Sequence, residues 1–148
     1  MNLKINIFSY INKMGNYLTT HKDEVRYKGN HVFADFTGFH GDEHVLGKFV
    51  YELMIRAIER TNMKIVHKHL EILNVDTPPG FTAFLQLDSS HISSHSYTEK
   101  SQGLLALDCF TCGPTDTLSV MNYIKDELIK EFPEIKCTYL QNHKRFNF

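Results

Sequence analysis

Two short stretches of this chain hold the residues best able to do chemistry. The first is Asp88-Ser89-Ser90-His91-Ile92-Ser93-Ser94-His95-Ser96-Tyr97. Serine offers a hydroxyl nucleophile, and neutral imidazole is a base that works near pH 7. Taken alone, the same stretch also reads as a serine-rich polar turn after a hydrophobic strand. The second is Leu104–Gly113, LLALDCFTCG, a hydrophobic strand that ends in a thiol and a glycine. Cys109 and Cys112 form a C-x-x-C, which suits a redox pair or half of a zinc site, but no second C-x-x-C follows. Nine histidines, among them His67-x-His69 and His91-x3-His95, keep a metal-dependent enzyme among the readings, although such histidines are more often surface groups.

The rest of the composition narrows the classes. A chain of 148 residues holds one core. Hydrophobic residues at 42% and charged residues at 22% are ordinary for a soluble globular protein. A formal charge of −1 argues against a broad basic face, so nucleic acid is not an expected partner. No apolar run approaches the roughly 20 residues of a membrane helix, and Met1–Tyr10 lacks a signal-peptide pattern. No membrane association and a cytoplasmic location are therefore expected. Three cysteines do not suggest a disulfide framework.

The elements that must position these residues follow from periodicity. Residues 1–29 read as an N-terminal extension, with Asn2–Ile11 a short strand or helix and Gly15–Gly29 a loop. Residues 30–148 form the patterned domain. His31–Thr37 is a predicted strand. Glu43–Arg60 carries Val45, Leu46, Phe49, Val50, Leu53, Met54, Ala57 and Ile58 at helical spacing, with Asp42 at the N-cap. Met63–Leu73, Phe81–Leu87, residues 91–97 and Leu104–Thr111 read as strands. Thr117–Phe132 is a second amphipathic helix stopped by Pro133, and Ile135–Leu140 is the last strand. The order β-α-β-β-β-β-α-β implies an α+β two-layer sandwich: a mostly antiparallel sheet with the two main helices on one face.

Together the two chemical stretches resemble the S-adenosylmethionine decarboxylase family in its short prokaryotic, pyruvoyl-dependent form. That family carries approximately E-S-H-I-S-I-H-T-W-P-E, then a strand ending D-x-[FY]-T-C-G. This chain has Ser89-Ser90-His91-Ile92-Ser93-Ser94-His95-Ser96-Tyr97-Thr98-Glu99 and Asp108-Cys109-Phe110-Thr111-Cys112-Gly113. The family's opening G-x-H is matched by Gly29-Asn30-His31. The resemblance covers about residues 28 to 142.

The resemblance implies a proenzyme that cuts itself between Ser89 and Ser90, giving a β chain of residues 1–89 and an α chain of residues 90–148. Ser90 would become a covalent pyruvoyl group, the only cofactor, with no metal. His95 falls on the processing histidine, and Thr82 on a processing serine that polarises the Ser89 carbonyl. Cys112 falls on the catalytic acid that protonates the substrate α-carbon, while Cys109 reads as core. Glu99 falls on a substrate-binding glutamate, and Tyr97 stands where the family has tryptophan and packs on substrate. The implied reaction converts S-adenosylmethionine to its decarboxylated form and CO₂ through a Schiff base, for spermidine biosynthesis. The implied assembly is a homodimer of cleaved protomers with active sites at the interface.

Three departures bear on these expectations. Ser89 replaces the usual glutamate before the cleavage serine, Tyr97-Thr98 replaces W-P, and two extra residues lie between Glu99 and Asp108. A pyruvoyl-dependent arginine or ornithine decarboxylase, or a non-cleaving regulatory homologue, are the alternatives. His31 and Asp35 read as structural or interface groups without an assigned role.

Overall fold

The structure is a computed structural model and describes residues 29–73, 78–98 and 103–146. The elements are β1 (Gly29–Thr37), α1 (Glu43–Glu59), β2 (Ile65–Ile72), β3 (Gly80–Leu87), β4 (His91–Tyr97), β5 (Leu104–Cys112), α2 (Thr117–Glu131) and β6 (Lys136–Arg145). Six strands make one sheet in the order β2-β3-β4-β5-β1-β6, with every neighbouring pair antiparallel. This is the expected α+β two-layer architecture. The readings of residues 1–28, including Asn2–Ile11, lie outside the described residues, as does Glu99.

Strand alternation divides the sheet into two faces. Val32, Ala34, Phe36, Phe81, Ala83, Leu85, Ile92, Leu105, Leu107 and Cys109 point to one face and are buried. The two helices cover that face with Leu46, Val50, Leu53, Met54, Ile58, Met121, Ile124 and Leu128. Asp42 caps α1 as its residue type predicts, its Oδ1 accepting from His44 N and Val45 N at 3.0 Å each. Val45 and Ile129 fit the helical period but stand exposed, because the buried arc of each helix is narrower than the apolar pattern. In β2, a register shift between Ile65 and His67 lets Ile65 on one side, and Leu70 and Ile72 on the other, pack against the same core. Gly80 begins β3 where a Cβ would lie 1.9 Å from the Ser96 carbonyl oxygen, so only glycine lets the two backbones approach there.

The last strand departs from expectation. It runs to Arg145, five residues past Leu140, and pairs with β1 as far as Gly29. Its polar end has no alternation to read because it lies along an edge, where both faces see water.

Candidate active site

Ser89 and Ser90 lie in the tight turn between β3 and β4. The turn is held by Leu87 N donating to Ser90 O at 2.9 Å and Asp88 N donating to Lys64 O at 3.1 Å. The Asp88 carboxylate accepts from the N–H of the next residue, Ser89, at 3.0 Å. Ser89 is exposed and Ser90 half-buried. Cys112 ends the neighbouring strand β5, and its backbone N–H donates to Ser90 Oγ at 3.0 Å. The Ser90 hydroxyl is thus anchored to the backbone of Cys112, whose thiol is half-buried. Gly113, with φ of 99°, takes the chain out of β5 immediately afterwards. Behind this end of β5, the buried Thr111 and Thr117 hydroxyls bond to each other and tie it to the start of α2.

The C-x-x-C is not a pair. Cys109 and Cys112 are three apart on one strand, so their sulfurs leave opposite faces. Cys109 is fully buried under the helices. Burial, with a smaller push from the Asp108 carboxylate, raises its thiol pKa to about 12 and leaves it inert. This accords with the core reading of Cys109.

The face not covered by the helices carries the other polar groups. Strand register sets His91, Phe110 and His31 side by side across β4, β5 and β1. Asp108 bonds to both histidines, with Oδ2 at 2.6 Å from His31 Nε2 and Oδ1 at 3.2 Å from His91 Nε2. Arg145 Nη1 in turn donates to His31 Nδ1 at 3.3 Å. Phe84 and Phe110 flank the His91 ring, with centroids 6.1 and 5.7 Å away. The hydrogen bonds among them join residues from four strands. The chain's motifs contain His31, His91 and Asp108, but only the ladder brings them together.

His31, His91 and Asp108 also present ligand atoms within 4.8 Å of one another, a spacing a metal ion could use. Arg145 works against that use. Ligation through His31 Nε2 requires the hydrogen on Nδ1, where a guanidinium N–H already points. His67 and His69 stand exposed on β2, and His69 pairs with Glu71 at 3.1 Å.

His95 and Thr82 lie further along the same open face. They pair across β3 and β4, and Thr82 Oγ1 is 3.1 Å from His95 Nδ1. Tyr97 follows, 45% exposed. Four residues of extended chain put His95 roughly 13 Å from His91 along β4, so one protomer does not bring His95 to Ser90. The sequence-predicted residues therefore form two clusters: Ser89, Ser90 and Cys112 at one end, and Thr82, His95 and Tyr97 at the other.

The class follows from the known proteins this chain is similar to. The fold matches the crystal structure of the adenosylmethionine decarboxylase from Aquifex aeolicus, with a TM-score of 0.58 and 26% identity, over 82% of this chain and 91% of that one. Relatives named S-adenosylmethionine decarboxylase proenzyme are 33% identical in Brevibacillus brevis, over 70% of this chain and 74% of the relative, and 28% identical in Clostridium botulinum strain Langeland, over 76% and 93%. The S-adenosylmethionine decarboxylase family model matches residues 30–140. The chain belongs to the S-adenosylmethionine decarboxylase family, and its enzyme class is that of a carboxy-lyase made as a proenzyme.

Proposed function

We propose that this chain cleaves itself between Ser89 and Ser90 and then decarboxylates S-adenosylmethionine with a pyruvoyl group made from Ser90. The observation that carries the reading is the Ser90 hydroxyl held by the Cys112 amide in an exposed turn. Oγ attacks the Ser89 carbonyl carbon, and the amide becomes an ester. The Ser89 side chain takes no part, so its replacement of glutamate leaves the step possible. Loss of the Ser90 α-proton then expels residues 1–89 as a carboxylate, and hydrolysis leaves the ketone at position 90 with release of ammonia.

The site suits a group built in place. The Ser90 oxygen, held by the Cys112 amide, and the imidazole network lie at one end of the open face. Such an α-keto amide, once formed, supplies an electron sink for the pair left behind by CO₂. Cys112 then delivers a proton to the substrate α-carbon, and Tyr97 and Glu99 hold the nucleoside end. The decarboxylated product feeds spermidine synthesis in the cytoplasm.

His95 and Thr82 act in a homodimer. The open face exposes Phe84, Tyr97 and Leu104, and neither helix covers it. A two-fold pairing of these faces sets the His95 of one copy against the Ser90 of the other, so that one interface completes two sites. There His95 takes the Ser90 α-proton and Thr82 polarises the Ser89 carbonyl.

Intact mass spectrometry tests the reading. Purified protein is expected to give two chains, residues 1–89 and a residue 90–148 chain with a ketone terminus. Ser90→Ala is expected to give one chain of 148 residues. A wild-type protein that stays whole after long incubation refutes self-cleavage and favours a regulatory homologue. CO₂ release from arginine or ornithine in place of S-adenosylmethionine would reassign the substrate.

A further inference from the structure

The imidazole network beside Ser90 has no part in the steps above, and its bonding fixes which nitrogen is free. Arginine only donates, so Arg145 makes His31 Nδ1 an acceptor and puts the His31 hydrogen on Nε2, facing Asp108. An ionised carboxylate only accepts, so His91 also presents N–H from Nε2 to Asp108. The lone pair of neutral His91 is then on Nδ1, the ring nitrogen nearer the main chain. His91 directly follows Ser90 in the chain. His95 lies roughly 13 Å away along the strand, and the Asp88 carboxylate is engaged by Ser89 N–H.

We propose that His91, oriented by Asp108, carries the proton in the first step of self-cleavage. Nδ1 takes the hydrogen from Ser90 Oγ as that oxygen bonds to the Ser89 carbonyl carbon. It returns the hydrogen to the Ser90 nitrogen as the Ser89–Ser90 C–N bond breaks. The step is an isomerisation and needs no other reactant. One bridging water carries the hydrogen between Nδ1 and Ser90 Oγ while Nε2 stays on Asp108. Asp108 is a positioning residue in the manner of a triad carboxylate, holding the tautomer and stabilising the transient imidazolium. His31 and Arg145 hold Asp108 in turn. Facing His91 are Asp108 and Cys112 from β5, His31 from β1 with Arg145 from β6 behind it, and the uncharged Phe84 and Gln86 from β3. Beyond Gln86 lies His67 on β2, and Asp88 is in the turn.

The proposal rests on the self-cleavage reading, and its test isolates the first step. In a His95→Ala proenzyme the α-proton is not removed and the ester accumulates. Hydroxylamine cuts esters and spares ordinary amides, so the rate of fragment release reports the acyl shift. Adding His91→Gln is expected to slow release tenfold or more at neutral pH and to abolish the acid-side fall in rate seen with His91 present. Adding His91→Ala instead is expected to recover part of the rate with imidazole in the buffer. Asp108→Asn with His91 intact is expected to slow release several-fold, and it carries the test should the His91 variants not fold by circular dichroism. Release at the parent rate in folded His91→Gln overturns the proposal. So does slowing with an unchanged pH profile and no imidazole rescue, which marks a structural role. If the His95→Ala parent yields no fragments and wild-type protein stays whole, self-cleavage itself fails and this step with it.

Discussion

Replacing Ser94 by alanine is expected to stabilise the domain. Ser94 and Ser96 flank His95 on β4 and point into the core, where both hydroxyls are buried with no hydrogen-bond partner among the described residues. Across the ladders Ser94 faces Ala83 and Leu107, which offer no polar side chain. An unpaired buried hydroxyl costs about 1–3 kcal/mol by protein mutational measures. Removing the oxygen forfeits several dispersion contacts of about 0.1–0.2 kcal/mol each, leaving a net gain of about 1 kcal/mol. With roughly 2 cal/mol/K of unfolding entropy per residue over about 120 folded residues, Tm rises by about 4 °C. The assay is thermal unfolding by far-UV circular dichroism in a Ser90→Ala background, where the chain stays whole and a single transition is meaningful. A Tm that falls, or does not move, refutes the reasoning and shows that the hydroxyl has a bound partner such as an interior water.

Further outcomes follow from the same geometry. Cys112→Ala keeps the backbone N–H that anchors Ser90 and is expected to leave two chains by mass spectrometry while lowering decarboxylation by a hundredfold or more. Thr111→Val removes one of two mutually bonded buried hydroxyls, strands the Thr117 hydroxyl and is expected to cost about 1–3 kcal/mol in thermal unfolding. Cys109 is expected to resist a maleimide at pH 8 in native protein while Cys112 reacts, read by peptide mass mapping. Because the native Cys109 thiol keeps its proton longer than the unfolded one, its contribution to stability is present below pH 9 and declines as pH rises from about 9 towards about 12. An alkaline series of melting curves that is steeper in wild type than in Cys109→Ala checks the sign.

Much of the architecture was legible from the chain, because helices and strands are written in local periodicity. Asp42, Pro133 and the apolar spacing of residues 43–58 specify α1 and the end of α2, and the element order implies a mostly antiparallel sheet. The motif residues at 89–99 and 108–113 were enough to name the family, since serine, histidine and cysteine at that spacing carry a specific chemistry. Where β6 ends, and that Val45 and Ile129 face outward, was not legible, because an edge strand and a helix flank lack a one-sided burial pattern.

What the sequence by itself determined is the set of candidate reacting groups: the adjacent serines, the downstream thiol, and the strands that carry them. Only the tertiary structure decided their company. Cross-strand register puts the Cys112 amide on Ser90 Oγ, joins His31, Asp108 and His91 from three strands, and sends Cys109 to the opposite face from Cys112. It also holds His95 away from Ser90 within one protomer. The physical reason is that a strand communicates sideways, through partners far off in sequence, while its own near neighbours alternate between faces or recede along its length.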